Sequence, residues 1–150
     1  LIAQKPLVYA YLGDEVKGVM TGGEAAIAVV WSGDAVAMMQ ENEDLEYVLP
    51  VEGTNLWFDA MVIPKNAENQ TDAEKFINFM TRPDIAAINA EYIGYSSPIP
   101  AAVEMLPEEI QNSPVAYPAD NLLENTEIFK DPQDILSEYD RIWTEITSAQ

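Results

Sequence analysis

The chain has 150 residues, 26 of them acidic and 7 basic, for a net charge of −19. That balance argues against nucleic acid, whose phosphates demand Lys and Arg, and favours cationic partners: metal ions, amines or basic peptides. With no Cys and no His, thiol nucleophiles, His general bases and the usual zinc sites are excluded. Hydrophobic residues make up 48%, enough for a domain with a core. No apolar run approaches the roughly 18 residues that would span a membrane. Leu1 is not an initiator methionine, and the chain reads as part of a longer one.

In chain order, Leu7 to Tyr11 reads as a short strand after Pro6. Asp14 to Met20 reads as a short helix ended by Thr21-Gly22-Gly23. Glu24 to Trp31 is a continuous apolar run and predicts a strand buried on both faces, as in a parallel sheet. Ser32-Gly33-Asp34 turns the chain into a helix over Ala35 to Glu41. Trp31 and that helix's N-terminus would stand at the strand's carboxyl end, where open α/β sheets bind ligands. A core aromatic is the competing reading of Trp31. Leu45 to Leu49 is another short strand, closed by Pro50.

Thr54 to Ile63 reads as a buried strand between Gly53 and Pro64. Asp59 interrupts it. Alternation would put Trp57 and Asp59 on one face, roughly 7 Å apart. A carboxylate there is costly unless paired, and so few Lys and Arg suggest a cation from outside. A solvated strand end is the alternative for Asp59.

Thr71 and Glu74 form a capping box for a helix reaching Met80. Pro83 opens the next helix at its first position, and Gly94 stops it. Tyr95 to Pro100 is extended because its two prolines forbid helix. Pro100 to Leu106 is a short helix, and 107 to 132 is broken by prolines into short turns. Gln133 to Thr147 predicts an amphipathic helix with Ile135, Leu136, Tyr139, Ile142, Trp143 and Ile146 on its stripe, and places Trp143 in the core. Alternating strands and helices point to an α/β fold with parallel elements.

Trp31, Trp57, Asp59 and Tyr95 stand at element ends or in extended runs, and Asp34 opens a helix. Ammonium groups want carboxylates, and methylenes want flat aromatic walls that also attract cations by about 0.5–2 kcal/mol. No calcium-loop or phosphate-loop spacing is present, and no metal or cofactor site is expected. The residues alone leave four functions open: polyamine capture, capture of another cationic solute, hydrolysis by a carboxylate pair such as Asp34 and Asp59, and an interaction module without a small ligand.

Blocks at 22–28, 31–35, 52–65 (Glu-Gly-Thr-Asn-Leu-Trp-Phe-Asp-Ala-Met-Val-Ile-Pro-Lys) and 91–98 (Glu-Tyr-Ile-Gly-Tyr-Ser-Ser-Pro) carry a resemblance. Tyr117-Pro118 and the last helix extend it along essentially the whole chain. The sequence resembles the carboxyl-terminal half of the bacterial spermidine/putrescine-binding proteins of polyamine ABC importers. The resemblance implies a two-lobed, type II periplasmic-binding-protein-like α/β fold that closes on its ligand, and no enzyme activity. It implies an extracytoplasmic location, in the periplasm or as a cell-surface lipoprotein or permease fusion, with permease subunits as partners. The membrane would be reached only through the permease or a lipid anchor outside this chain.

Trp31, Trp57, Asp59 and Tyr95 fall on the family's ligand contacts. Phe129 falls where some members carry a contacting Gln. The family pattern assigns 1–57 and 104–150 to the second lobe and 58–103 to the first, with the receptor's amino-terminal half absent. It leaves an exposed lobe face as a candidate dimer or swap surface.

Overall fold

The computed structural model describes residues 1–149. Helices dominate. A 3-10 segment at Ile2–Leu7 precedes α1 (Val16–Thr21) and α2 (Ser32–Glu41). Strand β1 (Thr54–Leu56) leads to α3 (Gln70–Met80) and α4 (Pro83–Ile93), then the short α5 (Pro100–Val103) and α6 (Glu108–Gln111). Strand β2 (Thr126–Ile128) and a 3-10 turn at Gln133–Ile135 lead into α7 (Leu136–Ser148). β1 and β2 pair in parallel, with Thr54 opposite Thr126, Asn55 opposite Glu127 and Leu56 opposite Ile128.

Helix boundaries follow local chemistry. Pro83 sits in the first turn of α4, where its missing N–H costs nothing. Gly94 ends α4 at φ 74°, a left-handed cap open to glycine. The capping box is not formed. α3 begins two residues early, with Asn69 at its cap and no side-chain cap bond. Glu74 instead accepts from the Gln70 amide at 2.8 Å.

The expected strands at 7–11, 24–31 and 45–49 are largely extended chain without a ladder partner among the described residues. Of the run 54–63, only Thr54 to Leu56 is laddered. Apolar pattern gives a segment its extended preference, but a strand exists only where another backbone accepts its hydrogen bonds. Consequently Ile27 and Val29, expected to be buried on both faces, stand in solvent.

Two small cores result. Ala86, Ala87 and Ala90 of α4 pack with Ala102 and Leu106, flanked by Ile99, Ile110 and Tyr117. The Tyr117 hydroxyl accepts the Ser97 N–H at 3.1 Å, holding the extended stretch after Tyr95 to this cluster. Met20, Ala35 and Met38 form the other core, with Val16, Ala25, Ala28, Val30, Leu45 and Tyr47 around it.

The stripe of α7 forms as the pattern predicts, but only Ile146 is buried. Trp143 is half exposed rather than core, resting edge-on against Tyr11 with centroids 5.1 Å apart. Lys5 donates to the carbonyls of Thr147 (2.7 Å) and Ala149, tying the chain's start to the end of α7. A cation there also favours the helix's negative end.

Candidate ligand site

Four aromatic rings from four separate stretches converge between the two cores. Trp31 caps α2 with extended backbone (φ −70°, ψ 146°), which turns its ring off the helix start. That ring lies 4.7 Å from Trp57, tilted by 57°, and 6.5 Å from Phe129, edge-on at 76°. Trp57 in turn meets the edge of Tyr95 at 5.9 Å and 84°. Trp57 follows β1 and Phe129 follows β2, so the parallel pairing of the two strands brings both rings to the same end of the ladder. Such edge and tilted contacts suit the ring quadrupoles.

Glycine makes the approach of α2 and Tyr95 possible. A Cβ on buried Gly33 would lie 2.2–2.5 Å from Cε2, Cδ2 and Cζ of Tyr95. The Tyr95 ring therefore rests on the bare backbone of the first turn of α2. Gly94 completes the junction, its own Cβ position 3.4 Å from the Gly33 carbonyl and 3.5 Å from Val36.

The structure thus brings Trp31, Trp57, Tyr95 and Phe129 together. Asp59 is solvent-exposed, not buried within an apolar strand, because the ladder ends at Leu56. Its carboxylate has no ion-pair partner among the described residues. Asp34 is half-buried and paired: Lys17 Nζ lies 3.3 Å from its Oδ1 and 3.4 Å from Oδ1 of Asp14. The Tyr95 phenol is held above its ordinary range, chiefly by burial, then by the negative charge of Asp34; Lys17 opposes this and Asp59 adds to it. Both carboxylates therefore act on one ring of the cluster.

Three contributors escaped sequence reasoning. Gly33 was legible only as a turn residue, and Lys17 only as one of few cations. Asn55, two residues before Trp57, has a buried Nδ2 with no hydrogen-bond partner. A polar residue inside an apolar run was its one available signal.

Two hollows lie elsewhere. One is lined by Pro107, Glu108, Glu109 and Asn112, with no aromatic wall. The other runs between 46–49 and Pro114, Val115 and Leu122, with Glu46 its sole charged residue. The first has no ring, and the second has the single ring of Tyr47 beside Glu46; neither gathers several rings. The aromatic cluster is an open wall, suited to one side of a flat or linear cationic ligand.

Residues 2–119 match the family model described as bacterial extracellular solute-binding protein. The chain belongs to that family. It is 34% identical over 145 residues to the spermidine/putrescine-binding periplasmic protein of Salmonella typhimurium, covering 97% of this chain. It is 30% identical over 150 residues to spermidine/putrescine-binding periplasmic protein 1 of Haemophilus influenzae. In both cases it spans 42% of the relative's length.

Among solved structures, one from Listeria monocytogenes assigned to a spermidine/putrescine ABC transporter superposes with a TM-score of 0.91 at 47% identity. It covers 99% of this chain and 46% of that one. The spermidine/putrescine ABC transporter substrate-binding protein PotD of Streptococcus pneumoniae gives 0.82 at 41% identity, over 97% and 46% of the two chains. The chain therefore has the solute-binding-protein fold over about half of its neighbours' length. The relatives are transport receptors, not enzymes, and are extracytoplasmic.

Proposed function

We propose that residues 1–150 form the carboxyl-terminal half of a polyamine receptor's cleft, which captures spermidine or putrescine outside the cytoplasm for an ABC importer. The observation carrying this reading is the joined wall of Trp31, Trp57 and Tyr95 with the unpaired carboxylate of Asp59. A ligand ammonium would bind Asp59, and its methylenes would lie along the indoles, which also attract the charge. Asp34 and Phe129 flank the same wall. The names of the relatives point to the same ligand class.

The lobe assignment supports half a site. Residues 1–57 and 104–150 would serve one lobe and 58–103 the other. The packing of Leu106, Ile110 and Tyr117 on α4 favours a return crossing slightly later, after Tyr117. The unladdered segments 7–11, 24–31 and 45–49 and the stripe of α7 are the surfaces that the rest of the receptor would cover. Left uncovered, they would favour pairing of two copies. Permease subunits would receive the ligand from the closed receptor.

A different cationic solute is the second reading. Phe129 favours it, because an apolar edge on Trp31 offers no hydrogen bond to a secondary amine. Titrating the full-length receptor with putrescine, spermidine, spermine and basic amino acids, read by tryptophan fluorescence and thermal shift, separates the two. Saturable quenching by the polyamines alone is the expected result. Response only to basic amino acids would replace it with the second reading.

A further inference from the structure

We infer that Phe129 is a positioning residue: its ring sets the attitude of the Trp31 indole, and it acts on ligand affinity through Trp31. The effect on affinity rests on the polyamine reading of the aromatic wall. The indole of Trp31 is not held by a core. The cluster of Met20, Ala35 and Met38 takes in its neighbour Val30 but not Trp31. Extended backbone at the cap of α2 turns the ring off the helix start, and 46% of the residue stays exposed. Two ring contacts hold the indole instead: Trp57 at 4.7 Å and Phe129 at 6.5 Å. One tilted contact leaves an indole able to swing about its side-chain torsions. A second contact, from another strand, narrows that freedom.

Backbone pairing places Phe129. Leu56 and Ile128 lie opposite each other in the ladder, and Trp57 and Phe129 follow them directly. Ladder hydrogen bonds therefore fix where these two rings start, and Trp31, from a third segment, fits against both. The phenyl ring carries no acceptor for an ammonium N–H. What it supplies is an edge-on partner for Trp31, at 76°, the arrangement that ring quadrupoles favour. An indole ordered before the ligand arrives removes the ordering entropy from the binding step.

The test uses Phe129→Ala, Phe129→Tyr, Trp31→Ala and the Trp31→Ala/Phe129→Ala double variant of the full-length receptor. Near-UV circular dichroism reads the ligand-free state, because two indoles 4.7 Å apart couple their transitions. Calorimetry gives putrescine and spermidine affinities. Trp31→Ala defines the signal of the pair by abolishing it. Phe129→Ala should diminish that signal and weaken both amines by about two- to tenfold, the scale of one aromatic pair. Phe129→Tyr restores the ring and should recover both readouts. In the Trp31→Ala background, Phe129→Ala should have no further effect on affinity. Phe129 is 64% exposed, so its loss removes little core. Should Phe129→Ala still melt early, Phe129→Leu keeps the apolar bulk without the ring and should loosen the pair in the same way.

An unchanged indole signal in a folded Phe129→Ala receptor overturns the inference. So does an affinity loss that keeps its full size without Trp31, which would make Phe129 a direct ligand contact. A parent receptor that binds neither amine refutes the polyamine reading instead, and the ligand-free spectra still decide whether Phe129 positions Trp31.

Discussion

Replacing Asp59 by Asn tests the proposed ligand site without disturbing the fold. The carboxylate is exposed and pairs with no described cation, so its loss should change stability by no more than about 0.5 kcal/mol. Binding is another matter. An ammonium about 4 Å from a carboxylate gains about 1 kcal/mol in water and up to about 4 kcal/mol at the effective dielectric of a protein surface. Closure of a second lobe would move the pair toward the upper figure. The expected loss in spermidine affinity is therefore between about fivefold and a thousandfold. Calorimetry on the full-length receptor, with thermal unfolding of the ligand-free protein alongside, gives both quantities. Glu68→Gln is the control: it removes the same charge from the exposed loop before α3 and should leave affinity nearly unchanged. Normal binding by Asp59→Asn, or an equal loss in Glu68→Gln, would refute the assignment.

The bare backbone under Tyr95 makes Gly33→Ala a steric probe: it should cost about 1–3 kcal/mol and weaken ligand binding by displacing the ring, seen in denaturant melts and fluorescence titrations. Asn55→Leu removes a buried donor without a partner and should raise stability by about 1–3 kcal/mol; a lower unfolding midpoint would mean that Nδ2 has a partner in the complete receptor. The Tyr95 phenol is raised above its ordinary 10.0 by burial and then by Asp34, so the folded state favours the protonated ring. Its contribution is complete below about pH 10 and is lost as pH rises through the folded value. Alkaline absorbance titration should show late tyrosines, Tyr9 (beside Glu24) and Tyr47 (by burial) among them; Tyr95→Phe should remove one of them, and bound polyamine should shift that one down. Residues 1–150 alone should bind spermidine only weakly, having half a cleft; micromolar affinity by calorimetry would contradict that expectation.

Local chemistry determined much of this protein from sequence alone. Pro83 and Gly94 bracket α4 because one needs no N–H and the other tolerates a positive φ. The stripe at 135–146 wrote the last helix. Absent Cys and His, with 26 acids against 7 bases, excluded whole classes of chemistry. Trp31, Trp57, Asp59 and Tyr95 could be singled out because each breaks a pattern or ends one.

What depends on distant partners was not legible. Apolar runs at 24–31 and 45–49 signal extended chain, but ladders require a neighbouring backbone, and burial of Trp143 requires something to cover it. The Thr71 capping box lost to an earlier helix start at Gln70. Only the tertiary structure decided that Phe129 joins Trp31, that Tyr95 lies on Gly33, and that Lys17 neutralises Asp34 while Asp59 stays open. Those pairings join residues far apart in sequence, and no local periodicity encodes which ring or charge the folded backbone brings together.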